Sequence, residues 1–200
     1  MRILGIDPGL TRCGVSILEV EVGTTRKKNV LFCKALTTDK RLPQPARLTY
    51  LFDKISGIID EFQPGIVAIE RPFLTTHNPD TGMGTAQVVG LVMVLAQKSK
   101  MKIALYTPAE VKLAVTGNGA ADKLQIQKAM QRLLKLPDLP KPADAADSLA
   151  IALTSVLKPN LDIRLKTFQG GKQGGKGGMT PAQALWAKTL ASKNKNGRPM

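Results

Sequence analysis

The sequence predicts a single mixed α/β domain, a five-stranded sheet flanked by helices. Three observations predict it. Three apolar, strand-like runs come first, with no helical segment between them. Strand-like runs then alternate with segments of helical periodicity as far as Leu157. Beyond Lys158 that patterning ends, and residues 159–200 form a basic, Gly/Lys-rich tail expected to be flexible. Two hundred residues suffice for one domain with a real core and are too few for two large lobes.

The elements follow in order. Met1 to Ile6 is a short apolar run ended by turn chemistry, Asp7-Pro8-Gly9. Cys13 to Val20 resumes the apolar pattern, so the two runs are expected to pair as a hairpin with a longer loop. Val30 to Leu36 is the third strand. Leu48, Leu51, Phe52, Ile55, Ile58, Ile59 and Phe62 recur at helical spacing, and Pro64-Gly65 stops that helix. Ile66 to Ile69 is a buried strand closed by Glu70, and Arg71 to Gly82 reads as a loop. Gly84 to Gln97 is helical yet apolar nearly all round, so burial is expected, with another subunit as one candidate cover. Ile103 to Tyr106 is the fifth strand. Thr107-Pro108-Ala109-Glu110 then carries an N-cap, a first-turn proline and a capping glutamate. Gly117-Asn118-Gly119 breaks that helix, Ala121 to Lys135 forms the next, and Pro142 opens a last one running to Leu157.

Charge narrows the function. The net charge is +14, of which residues 159–200 contribute eight Lys/Arg and one Asp, so the folded part is itself basic. Such an excess favours a polyanionic partner, nucleic acid before an anionic membrane. No apolar run is long enough to span a bilayer, and the N-terminus does not look like a signal peptide. With two cysteines, Cys13 and Cys33, a reduced cytoplasmic protein is the simplest expectation. One histidine, His77, in a polar loop-like stretch argues against a zinc site or a histidine-based triad.

Four acids stand out. Asp7 closes the first strand and Glu70 the fourth, where a rigid sheet can present a side chain into a cleft. Asp144 and Asp147 are i and i+3 on one helix and share a face. Each has a plain alternative: Asp7 can begin a turn, Glu70 can pair with Arg71, and acids suit the first turns of a helix. Taken together, four carboxylates packed close repel one another unless cations neutralise them. Oxygen-only donors point to Mg²⁺, with Mn²⁺ as a substitute. Two such ions, about 3.5–4 Å apart, form a phosphodiester-cleaving device. Asp7 is the natural bridging ligand, being expected at the sheet's centre.

At these residues the sequence resembles the RuvC family of Holliday-junction resolvases, with its ribonuclease H-like fold. The resemblance runs from Met1 to about Leu157, through Gly5-Ile6-Asp7-Pro8-Gly9-Leu10-Thr11, Glu70-Arg71-Pro72-Phe73 and Pro142-Ala143-Asp144-Ala145-Ala146-Asp147-Ser148-Leu149-Ala150. It implies that Asp7, Glu70, Asp144 and Asp147 bind two metal ions, that Lys112 and Lys123 assist cleavage near the scissile phosphate, and that Phe73 packs into the junction centre. Arg71 joins these as an expected DNA contact. Read without the family, the lysines would be solvated helix faces and Phe73 core. The resemblance further implies a homodimer making symmetrical nicks in four-way DNA junctions, and action with the RuvA–RuvB branch-migration machinery. Pro72, Ser148 and the long basic tail depart from the family's usual pattern; the tail either adds nonspecific DNA affinity or is a solvated extension.

Other classes share some of these features. Gly5-Ile6-Asp7-Pro8-Gly9 also resembles the phosphate loop of sugar kinases and actin-like ATPases, which need a second lobe and a second phosphate loop. A noncatalytic DNA-binding module has no use for four acids. A nuclease of the same fold acting on another branched or RNA-containing substrate would carry the same carboxylates, because they read phosphate rather than sequence.

Overall fold

The computed structural model describes residues 1–21, 27–72 and 79–158. Phe73, His77 and the tail from residue 159 lie outside the described residues. The chain runs β1 (Arg2–Asp7), β2 (Arg12–Val20), β3 (Lys28–Thr37), α1 (Gln44–Phe62), β4 (Ile66–Glu70), α2 (Pro79–Lys98), β5 (Lys102–Tyr106), α3 (Pro108–Thr116), α4 (Lys123–Leu134) and α5 (Ala143–Leu157). The strands form one sheet in the order β3-β2-β1-β4-β5. β1, β2 and β3 are antiparallel neighbours, and β4 and β5 run parallel to β1. The mixed sheet of five strands matches the sequence expectation, and β1 is its central strand.

Strand alternation divides the core in two. Ile3, Leu18, Ile66 and Ala68 face one way, into a cluster with Val111 and Val115 of α3, Ile126 and Met130 of α4, and Leu149 and Leu153 of α5. Leu4, Ile6, Val15, Ile17, Val67 and Ile69 face the other way, against Leu51, Ile55 and Ile59 of α1 and Val88, Val92 and Leu95 of α2. Being covered on both faces, the central strands read as continuous apolar runs.

Some boundaries differ from the sequence reading. α1 starts at Gln44 rather than Leu48, with Pro43 at its N-cap and Pro45 in its first turn, where a missing N–H costs no helical bond. α2 likewise begins at Pro79, inside the stretch read as loop. Only one side of α2 is buried within the chain: Val88, Val89, Val92, Leu95 and Ala96 pack inward, while Met83 and Val94 are more than half exposed and Gly90 lies open between them. α3 and α4 open on complete capping boxes, Thr107 with Glu110 and Asp122 with Gln125. Among the described residues no helix is long and apolar enough to cross a membrane.

Candidate active site

Strand parity places the first two acids. Asp7 lies two residues beyond Gly5 and four beyond Ile3, on the face that carries α5. Glu70 has the same parity as Ile66 and Ala68, so it projects from that face too. β1 and β4 are parallel neighbours in the register Ile6↔Ile69, so the two acids stand side by side at the strands' carboxyl ends. Helix geometry supplies the other two, Asp144 in the first turn of α5 and Asp147 three residues on.

What seats α5 over Asp7 is the absence of two side chains. A Cβ on Gly5 would overlap the Ser148 carbonyl oxygen, and a Cβ on Gly14 would overlap that of Asp144. Gly14 is the cross-strand partner of Asp7. The helix therefore lies directly on the backbone of β1 and β2, with its acidic first turn above the end of β1. Ser148 is fully buried, and its hydroxyl donates to the Ala145 carbonyl at 2.8 Å.

One carboxylate oxygen each from Asp7, Asp144 and Asp147 lie within 4.8 Å of one another, all three residues half-buried. Glu70 is outside that tightest group but couples electrically to Asp7 and Asp147. Burial first, and then the charges of Glu70, Asp147 and Asp144, push the Asp7 carboxyl up to about 8. Burial and Asp147 raise Glu70 to about 7, and burial raises Asp147 as well. A cluster this reluctant to ionise suits a hard dication, which replaces the protons and takes carboxylate oxygens.

Lys112 and Lys123 point their charge at this cluster. Lys123 lowers Asp7, Glu70 and Asp147, and Lys112 lowers Glu70 and Asp147. The Lys123 ammonium is 3.6 Å from Asp144 Oδ1. Arg71 follows Glu70 directly; its backbone N–H donates to the Tyr106 carbonyl at 2.7 Å and its side chain is exposed. Phe73 is outside the described residues. A cleft of about 310 Å³ between α3 and α4, lined by Thr116, Asn118, Gln125, Lys128, Ala129 and Arg132, holds none of the four acids. Donor geometry rather than cavity volume marks the site.

The sequence reading missed two things here. One is the pair of glycines; Gly14, seven residues after Asp7, carried no signal until the hairpin register was known. The other is Arg12, whose Nε lies 2.9 Å from Asp144 Oδ2.

Comparison with known proteins identifies the family. Residues 3–155 match the family model described as crossover junction endodeoxyribonuclease RuvC. The chain is 41% identical over 187 residues to the crossover junction endodeoxyribonuclease RuvC of Bifidobacterium animalis subsp. lactis (strain AD011), covering 94% of this chain and 92% of that one. Two solved structures of Thermus thermophilus RuvC, one of them in complex with Holliday junction substrate, superpose with a TM-score of 0.71 at 29% identity. They cover 78% of this chain and 94% and 93% of theirs. The match spans every described element from β1 to α5 with its three carboxylate motifs, and the chain belongs to the RuvC family of crossover junction endodeoxyribonucleases.

Proposed function

We propose that this protein resolves four-way DNA junctions, nicking two opposed strands symmetrically in recombination and repair. The observation that carries this reading is the convergence of Asp7, Asp144 and Asp147 within 4.8 Å at the end of the central strand, with Glu70 beside them. The relatives' names support it, as does the junction substrate held by the Thermus thermophilus protein.

In this reading Asp7, Glu70, Asp144 and Asp147 hold two divalent cations, Mg²⁺ in the cell with Mn²⁺ as a substitute. Bound there, the ions supply Lewis-acid stabilisation for in-line displacement at phosphorus. The chain's own groups do the rest. The rigid β1 and β4 ends fix Asp7 and Glu70, so little reorganisation is needed as charge develops. Lys112 and Lys123 hold the phosphate and offset its growing charge. Arg71 and Phe73 contact the junction strands, Phe73 by stacking on an unpaired base. Residues 1–158 carry the nuclease activity, and the basic tail from 159 adds nonspecific DNA affinity.

A two-fold enzyme suits a near two-fold substrate. The exposed stripe of α2, Met83, Gly90 and Val94, is the surface on which a second copy would dock. Action with a RuvA–RuvB branch-migration complex in the cytoplasm completes the reading.

The test is cleavage of a synthetic four-way DNA junction with Mg²⁺, beside a linear duplex and an RNA–DNA hybrid of equal length. Paired symmetrical nicks confined to the junction are expected. Preferential cutting of the hybrid would contradict the proposal and point to an RNA-containing substrate.

A further inference from the structure

Among the described residues, the four acids are not treated alike. Asp144 faces a cation on each oxygen, Arg12 Nε at 2.9 Å from Oδ2 and Lys123 Nζ at 3.6 Å from Oδ1. Asp7, Glu70 and Asp147 make no such ion pair within 4 Å among those residues. Asp144 also belongs to the tight three-oxygen group. A guanidinium therefore sits on one oxygen of a carboxylate that belongs to the candidate cation cluster.

The backbone beside Arg12 is held, while its side chain is half exposed. It opens β2, and its side chain is about half exposed (54%), against 18% for that of Asp144. The preceding residue, Thr11, is clamped. Its hydroxyl accepts from Arg47 Nη2 at 2.8 Å, and its carbonyl accepts from the Thr38 N–H at 3.0 Å. Arg47 Nε also donates to Thr38 Oγ1 at 2.9 Å, and Thr38 in turn donates to the Leu10 carbonyl at 2.6 Å. The turn after Asp7 is thus tied to α1 and to Thr38 just past β3, whereas the Arg12 side chain is half exposed.

We propose that Arg12 is a positioning residue that exchanges partners: it holds Asp144 in the metal-free protein, and a phosphate of the bound strand once the carboxylates are loaded. This rests on reading the four acids as the cation site. Like charges explain the release, since a dication on the carboxylate cluster repels a guanidinium at hydrogen-bond distance from one of its ligands. Planar, two-pronged donation explains the capture, because that fork fits phosphate oxygens as it fits a carboxylate. Arg12 then opposes metal binding and favours DNA binding, a pair of effects that simple support of the fold would not produce.

The experiment measures the two affinities separately in wild type, Arg12→Gln and Arg12→Lys. Mn²⁺ is titrated into full-length protein without DNA, with free ion read by electron paramagnetic resonance. Junction binding is read by fluorescence anisotropy in Ca²⁺, and thermal unfolding checks the fold. Arg12→Gln is expected to tighten Mn²⁺ about threefold to fivefold, the upper end for a half-exposed pair. The same variant is expected to weaken junction binding severalfold, with Arg12→Lys recovering only part of that loss. Unchanged or weaker Mn²⁺ binding in Arg12→Gln overturns the exchange, as does tighter Mn²⁺ binding with junction affinity unaltered. Asp7→Asn is run alongside. If it keeps full Mn²⁺ affinity, the cation site itself is misassigned; if it loses that affinity while Arg12→Gln behaves as wild type, only the role of Arg12 fails.

Discussion

The Asp144 carbonyl oxygen rests against the Cα of Gly14, the cross-strand partner of Asp7. One backbone contact therefore sets the height of the acidic helix turn above the acidic strand end. Replacing Gly14 by Ala puts a methyl group where that oxygen lies and pushes the start of α5 outward. The expected cost is about 1–3 kcal/mol of stability from overpacking, together with loss of most junction cleavage. Gly65→Ala, with no atom within 4 Å of its added Cβ, is the control and should change neither. Thermal melts and single-turnover cleavage of both variants check this.

Lys112 and Lys123 lower the proton affinity of Glu70 and Asp147, and in the proposed reaction they would also face the phosphate. Each Lys→Ala change should reduce the cleavage rate by about 10²-fold, the scale for removing one donor to a developing charge. Removing a cation also raises the neighbouring acids. The acid limb of the pH–rate profile should move to higher pH in Lys123→Ala, and Lys123→Arg should restore most of that shift. A rate loss with an unmoved profile would limit Lys123 to phosphate binding.

The metal-free protein should lose stability as pH rises. Asp7 is held up to about 8 and Glu70 to about 7, both above their ordinary values of 3.8 and 4.5. The folded state therefore binds more protons than the unfolded state across that range, and the slope of unfolding free energy with pH is negative. The stabilising protonation is complete below about pH 4 and is lost as pH climbs through 7 to 8. Melting temperature in chelator should fall from pH 5.5 to pH 8.5, and Asp7→Asn should flatten the trend. Mn²⁺ should bind more tightly at the upper end and release protons as it binds, which calorimetry in buffers of different ionisation heat would detect.

Much of the fold was legible because its signals are local. The helical stripe from Leu48 to Phe62, the Thr107–Glu110 capping box and the alternation after Glu70 each encode one element. The four acids were legible because two end core strands and two share a face at the start of the last helix. How Asp144 is brought onto Asp7 was not, since it depends on the hairpin register that puts Gly14 under α5. The same holds for Arg12, which reads as one more cation in a basic chain until its partner is seen. α2 looked buried all round because its apolar residues exceed what one face needs. The surplus, Met83 and Val94, is exposed in the single chain.

Truncation after Lys158 separates chemistry from tethering. The shortened protein should still cut the junction at saturating concentration. Its affinity should fall, and the dependence of log affinity on log salt should become shallower, by about 0.9 for each duplex phosphate that the tail neutralises. An unchanged salt slope would show that the tail does not touch DNA.

The most direct test of the central claim compares wild type with Asp7→Asn on one four-way junction, measuring binding in Ca²⁺ and cleavage in Mg²⁺. A carboxylate site for metal-assisted hydrolysis predicts that the variant binds as tightly as wild type, or more tightly because one negative charge is gone, and produces no paired nicks. Cleavage by Asp7→Asn within tenfold of the wild-type rate, with Mg²⁺ or Mn²⁺, would contradict it and move the chemistry away from the end of β1.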